Sequence, residues 1–152
     1  MKILMVCLGN ICRSPLAEGI LQARADALGL GWQIDSAGTG AWHTGEQPDP
    51  RSQAVARRYG IDISSQRARQ FKEGDFDRFD LIFAMDQSNH DNIVRLARSK
   101  TDREKVHLIM QFTDGDVRDV PDPYWDDQGF EQVYQMLNKA CDRLLEKTAQ
   151  GV

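Results

Sequence analysis

The stretch Cys7-Leu8-Gly9-Asn10-Ile11-Cys12-Arg13-Ser14-Pro15 constrains this chain more than any other. An apolar run, Lys2 to Val6, leads into Cys7, and beyond Pro15 the residues Leu16, Ile20, Leu21 and Leu28 recur at helical spacing. A strand, a tight loop and a helix N-terminus therefore follow one another within about a dozen residues. Ser14 suits the N-cap, and Pro15 the first helical position, where its missing N–H costs nothing. Such a loop turns successive amide N–H groups toward one centre, and the helix end adds partial positive charge. The centre favours an anion, and phosphate or another oxyanion fits best. Gly9 and Asn10 are residue types that tolerate the left-handed backbone a curl of this kind requires. Arg13 can grip two oxygens through its planar fork. Cys7 then lies at the floor of the hole, where the same donors favour its thiolate.

The rest of the composition narrows the classes of function. A chain of 152 residues buries one core and reads as a single domain, residues 1–152. A net charge of −4 argues against nucleic acid as a partner. The longest apolar run, Ile3 to Leu8, is too short to span a membrane. Cys7 and Arg13 interrupt any signal-peptide core, so a cytoplasmic protein is expected. Cys7, Cys12 and Cys141 are too few for a secreted disulfide framework. With no Cys-x-x-Cys and no ligand spacing among His43, His90 and His107, neither a metal nor a cofactor is expected.

Taken in order, Gly29 and Gly31 stop the first helix and Trp32–Ala37 reads as a strand. Gly38–Pro48 is loop, and Asp49-Pro50 caps a helix that runs to Gly60. Asp75–Phe79 is a short turn or helix within a less regular stretch. Asp80–Met85 is a buried strand backed by a helix from Gln87 to Ser99, and Lys105–Met110 gives the fourth strand. A loop, Gln111–Gln128, precedes a last helix from Phe130 to Lys147. Strands separated by helices predict an α/β fold: a doubly wound, four-stranded parallel sheet with helices on both faces. The ligand then sits at the carboxyl ends of the strands, where the first loop lies.

The Cys-x5-Arg-Ser spacing, with Gly9-Asn10 inside and Cys12-Arg13-Ser14-Pro15 closing it, resembles the low-molecular-weight protein tyrosine phosphatases over nearly the whole chain. The resemblance implies hydrolysis of phosphotyrosine in protein substrates without a metal: Cys7 attacks phosphorus, and loop amides and Arg13 meet the charge. The long loop carries six carboxylates between Asp114 and Asp127. Asp122 stands apart, because Pro121 and Pro123 flank it and Tyr124-Trp125 follow. That string resembles the family's general-acid loop, which gives Asp122 the task of protonating the leaving phenolate. Trp42, Tyr124 and Trp125 match the family's substrate pocket, beside the loop residues Leu8, Gly9, Asn10, Ile11, Cys12 and Ser14. Ser36 and Asn10 match a network that holds the loop, Ser14 matches a hydroxyl facing the thiolate, and Asp86 is positioned in sequence to orient Arg13. Gln66 departs from the pattern: the family commonly has a His there, paired with a Glu at the position of Glu18.

Cys12 is either a small packed side chain or the disulfide partner of an oxidised Cys7. Cys141 and Trp32 read as core, and His43 lies near the proposed pocket. Three other readings compete. An arsenate reductase on the same fold needs further cysteines near the third strand, and the chain has none between Cys12 and Cys141. A phosphoarginine phosphatase carries Thr where Ile11 stands. A non-catalytic phosphoprotein-binding module would lack the nucleophile or the acid.

Overall fold

Side chains alternate across a strand, and in the first strand both faces are apolar. In the computed structural model, which describes residues 1–113, 115 and 117–149, this strand, β1 (Lys2–Cys7), is buried at every position but its first. Ile3, Met5 and Cys7 join one core cluster, and Leu4 and Val6 a second on the opposite face. The first cluster is closed by α1 (Arg13–Ala27) and α6 (Gly129–Ala149), through Leu16, Ile20, Val133 and Leu137. The second is closed by Phe76 of α3 (Asp75–Arg78) and Ile93 of α4 (Gln87–Val94). A strand buried on both sides belongs in the middle of a parallel sheet.

The sheet has four strands in the order β2-β1-β3-β4, all parallel, with β2 at Gln33–Gly38, β3 at Leu81–Ala84 and β4 at Val106–Leu108. Ile3 pairs with Ile34 on one side and Leu81 on the other. The chain thus steps from β1 outward to β2 and later returns beside β1 as β3. The connections reverse direction next to β1, and the crevice of such a fold opens there, at the strands' carboxyl ends. The helix α2 (Pro50–Arg58) begins where Asp49 accepts the amide N–H of Arg51 at 2.8 Å.

Two expected elements come out differently. The helix expected over Gln87–Ser99 ends at Val94, and a separate short helix, α5, covers Lys100–Glu104. Ser99 is extended and its hydroxyl accepts from the amide of Asp102, while Asp102 reaches back to the amide and Nε of Arg98, both at 2.9 Å. These local bonds favour two capped pieces over one continuous helix. The fourth strand is confined to Val106–Leu108 because Ile109–Phe112 tighten into a 3₁₀ turn. Trp32 is buried against the α1 side of the sheet. Asp114 and Asp116, two of the carboxylates in the long loop, lie outside the described residues.

Candidate active site

β1 ends at Cys7, and the chain then curls tightly before α1 begins. The floor of the curl is Gly38, the last residue of β2. A Cβ there would lie 2.7 Å from the carbonyl oxygen of Leu8 and 3.1 Å from the amide of Asn10. Glycine is required at this point by close approach, not by an unusual backbone angle. Among the described residues Asn10 is the only non-glycine with positive φ, at 59°, and Gly9 is not left-handed. The expectation that both residues supply left-handed backbone therefore holds for Asn10 alone. One such residue reverses the chain, and its short amide side chain stabilises the turn locally.

The helix starts earlier than its sequence suggests. Arg13 is its first residue and Cys12 occupies the N-cap without a side-chain cap bond. Ser14 and Pro15 are thus the second and third helical residues, which corrects the expectation of Ser14 as cap and Pro15 as first residue. The Ser14 hydroxyl is used elsewhere: it lies 3.0 Å from Cys7 Sγ and accepts from Asn10 Nδ2 at 2.9 Å. Asn10 Nδ2 also donates to Ser36 Oγ at 2.9 Å, and Asn10 Oδ1 accepts the amide of Arg69 at 3.0 Å. The Ser36 hydroxyl donates to Glu18 Oε1 at 2.7 Å. Cys7 Sγ accepts the amide of Asn10 at 3.3 Å. A continuous chain of polar contacts runs from the sulfur through Ser14, Asn10 and Ser36 to Glu18, behind the loop.

Gln66 does not pair with Glu18 in this chain. Its Nε2 donates to the carbonyl of Pro15 at 3.1 Å, and its Oε1 is buried without a partner. Glu18 is itself largely buried. Burial pushes its pKa up to about 7, with the charge of Asp35 adding and Ser36 and Arg69 opposing.

On the open side, Arg13 is only 2% exposed. Its Nη1 donates to Asp86 Oδ2 at 2.6 Å and to the carbonyl of Val120 at 2.9 Å. The other oxygen of Asp86 caps α4, accepting the amide of Asn89 at 2.7 Å. Burial works against the charge on Arg13, but Cys7, Asp86 and Asp122 outweigh it and hold the guanidinium more firmly protonated than usual. Asp122 Oδ2 lies 3.9 Å from Arg13 Nη2, and its Oδ1 accepts the amide of Tyr124 at 3.1 Å. The buried Val120 fastens this loop just past the end of β3, its amide donating to the Met85 carbonyl at 2.8 Å. Sequence reasoning missed Val120, although a lone aliphatic residue between Asp119 and Pro121 is a visible signal.

These elements enclose a hollow of about 160 Å³ walled by the loop, Arg13, Trp42, His43, Asp122, Tyr124 and Trp125. Leu8, Gly9, Ile11 and Cys12 reach it, whereas Asn10 and Ser14 do not line it and sit behind the sulfur. Ser36 and Asp86 act at one remove, through Asn10 and Arg13. Trp42 and Trp125 stand at the mouth, 72% and 87% exposed. The Trp42 ring lies against Gly40, where any Cβ would overlap it. His43 bonds Glu46 at 2.8 Å and faces the Tyr124 ring, and it too was not assigned to the site from sequence.

Arg51, another residue missed from sequence, ties the far end of the Asp122 loop. It bonds Asp49 Oδ2 at 2.9 Å, the Tyr124 carbonyl at 3.1 Å and the carboxylate of Asp127, and packs over the Phe130 ring. Asp49 donates its own amide to the Ile11 carbonyl at 2.8 Å, so one arginine couples both loops. Cys12 is a buried free thiol; burial pushes its pKa far up, reinforced by Asp49, Cys7 and Asp122, so it stays protonated. Among the described residues no cluster of His, Cys, Asp or Glu could hold a metal ion. No helix among them is long and apolar enough to cross a membrane.

The likeness to known proteins extends over the chain. Residues 2–151 match the family model described as low molecular weight phosphotyrosine protein phosphatase. The low molecular weight protein-tyrosine-phosphatase YfkJ of Bacillus subtilis is 43% identical over 146 residues, covering 95% of this chain and 93% of that protein. The crystal structure of YfkJ superposes with a TM-score of 0.93, covering 99% of this chain and 96% of its own. A protein tyrosine phosphatase of Entamoeba histolytica, solved with Hepes in its active site, is 37% identical with a TM-score of 0.93, covering 99% and 98% of the two chains. A Drosophila arginine phosphatase is also similar, 32% identical with a TM-score of 0.92, covering 97% and 98%. With the family model matching almost end to end and the four-stranded parallel sheet shared, the chain belongs to the low molecular weight phosphotyrosine protein phosphatase family and is a protein-tyrosine phosphatase.

Proposed function

We propose that this phosphatase acts on tyrosine-phosphorylated proteins in the cytoplasm through a phosphocysteine intermediate, with Cys7 as nucleophile, Arg13 as phosphate ligand and Asp122 as general acid and base. The observation that carries this reading is the convergence of Cys7, Arg13 and Asp122 on one hollow. Phosphate seated there is flanked by the loop and by Arg13. Nη1 of Arg13 is committed to Asp86 and Val120, which leaves Nη2 and Nε to meet phosphoryl oxygens as charge spreads over them. The Cys7 thiolate attacks phosphorus in line while the P–O bond to the phenol breaks. A phenolate with parent pKa of about 10 leaves poorly, so Asp122 gives it a proton. Water then attacks the phosphorus–sulfur linkage, the Asp122 carboxylate takes its proton, and phosphate and thiolate are released. No metal is needed, because a fixed guanidinium and oriented amides already oppose the developing charge. Ser14 assists by offering its hydroxyl proton to the departing sulfur, having only a longer alternative at the Ala37 carbonyl, 3.5 Å away.

The test is to trap the intermediate. Rapid acid quenching with a radiolabelled phosphotyrosine peptide should leave label on the wild-type protein and none on Cys7→Ser, with chelator present throughout. Label on Cys7→Ser, or turnover that requires added metal, would remove the mechanism. A phosphoarginine peptide run in parallel separates the two substrate classes found among the similar proteins.

A further inference from the structure

The main chain of a substrate whose phosphate reaches the floor of the hollow must cross its rim, and one side of that rim opens into a second, larger depression. This groove, about 410 Å³, shares Leu8 and Trp42 with the catalytic hollow and continues over Thr39 and Gln70 to Arg95 and Leu96. We propose that it is a subsite for the residues flanking the phosphotyrosine, and that it selects an acidic side chain through Arg95. The proposal rests on the protein-substrate reading above.

Four observations support it. The groove is continuous with the hollow, because the Trp42 ring, seated on Gly40, forms a wall of both. Its apolar side chains are exposed side by side: Leu8 is 40%, Leu96 43% and Trp42 72% accessible, a contiguous patch of the kind that marks a contact surface. Among the described residues Arg95 is the only charged one lining it, and its Nη1 donates to Asn92 Oδ1 at 2.8 Å on the same helical turn, a neutral acceptor that does not offset the charge. A protein of net charge −4 thus presents an isolated cation beside its active site. Lastly, the floor is fixed backbone: Gly38 donates to the Arg69 carbonyl at 2.8 Å, Phe71 donates to the Gly38 carbonyl at 2.7 Å, and Gln70 Nε2 reaches the Thr39 carbonyl at 3.2 Å. Thr39 adds the one buried hydroxyl without a partner among the described residues, a spare donor and acceptor at the groove wall.

The experiment compares kcat/KM for phosphotyrosine peptides of equal length carrying Asp, Ala or Lys one position at a time on either side, with para-nitrophenyl phosphate as a substrate too small to reach the groove. Wild type should favour Asp over Lys at one flank by about 2- to 5-fold, the size expected of a solvent-facing ion pair, and the preference should shrink with added salt. Arg95→Gln should erase it and Arg95→Glu should invert it, both leaving para-nitrophenyl phosphate unchanged. An Asp preference that survives Arg95→Glu overturns the subsite while leaving the phosphotyrosine reading intact. Equal slowing of peptides and para-nitrophenyl phosphate overturns it as well, since Arg95 would then act on the hollow itself. Wild type that hydrolyses para-nitrophenyl phosphate but no peptide overturns the subsite and the protein-substrate reading together.

Discussion

The two loops that meet at Arg13 are held in opposite ways. In the first, Cys7, Asn10, Arg13 and Ser14 are at most 2% exposed and bonded to one another or to the sheet. In the second, Asp122 keeps 38% of its side chain in solvent and Trp125 87%. That loop is fixed at a few points, chiefly Val120 on Met85 and Tyr124 on Arg51. Under the proposed mechanism the contrast follows from what each must do. A nest for an anion works by dipoles fixed before the ligand arrives, and any slack in it is lost stabilisation. An acid that must first give and later take a proton has to remain within reach of water.

Substitutions that separate the two loops make the contrast testable. The largest effect is expected from Cys7→Ser, which should leave no measurable phosphotyrosine turnover while the protein still binds phosphate, because the nest is intact. Asp122→Ala should then slow esters of poor leaving groups by about 10²–10⁴ and para-nitrophenyl phosphate far less. Equal slowing of both would mean that Asp122 acts on binding. Arg51→Ala releases the Tyr124 carbonyl and Asp127 but touches neither Cys7 nor Arg13. It should reduce kcat for poor leaving groups by about 10-fold, with little change for good ones, and a comparable loss for good leaving groups would show that the nest depends on the acid loop. The smallest change is expected at the rear of the nest. Burial raises Glu18 from 4.5 to about 7. The folded protein therefore retains a proton that the unfolded chain has lost, and stability falls as pH rises through that window. Glu18→Gln keeps an acceptor for Ser36 and removes this titration. Denaturant melts should show the variant gaining roughly 1–2 kcal/mol on wild type between about pH 5 and pH 8. A flat difference across that range would locate the titration elsewhere.

Legibility in the sequence divides along the same line. The strand-loop-helix at the N-terminus declares itself because a buried parallel strand, a chain reversal and an amphipathic helix each leave a compositional trace in adjacent residues. The sheet and its helices follow from the same periodicities. What stayed hidden depends on partners far apart in the chain. Nothing local to Ser14 says that its hydroxyl turns to a sulfur, so it looks like a cap. Arg51 resembles any exposed helical arginine until α2 is set against the acid loop, and Val120 is one aliphatic residue among carboxylates until Met85 supplies the carbonyl it binds. The end of α4 at Val94 stayed hidden because Arg95, Leu96, Ala97 and Arg98 are all good helix formers and carry the expected helix on to Ser99.

Gly38 carries one more implication. It does not line the hollow, yet the curl around Cys7 rests directly on its bare α-carbon. Adding a single methyl at this spot would force the backbone of Leu8 to Asn10 to move, a shift that no rotamer change can absorb. Tolerance to mutation is therefore limited by contact with the cradle from below as well as by contact with a ligand from above.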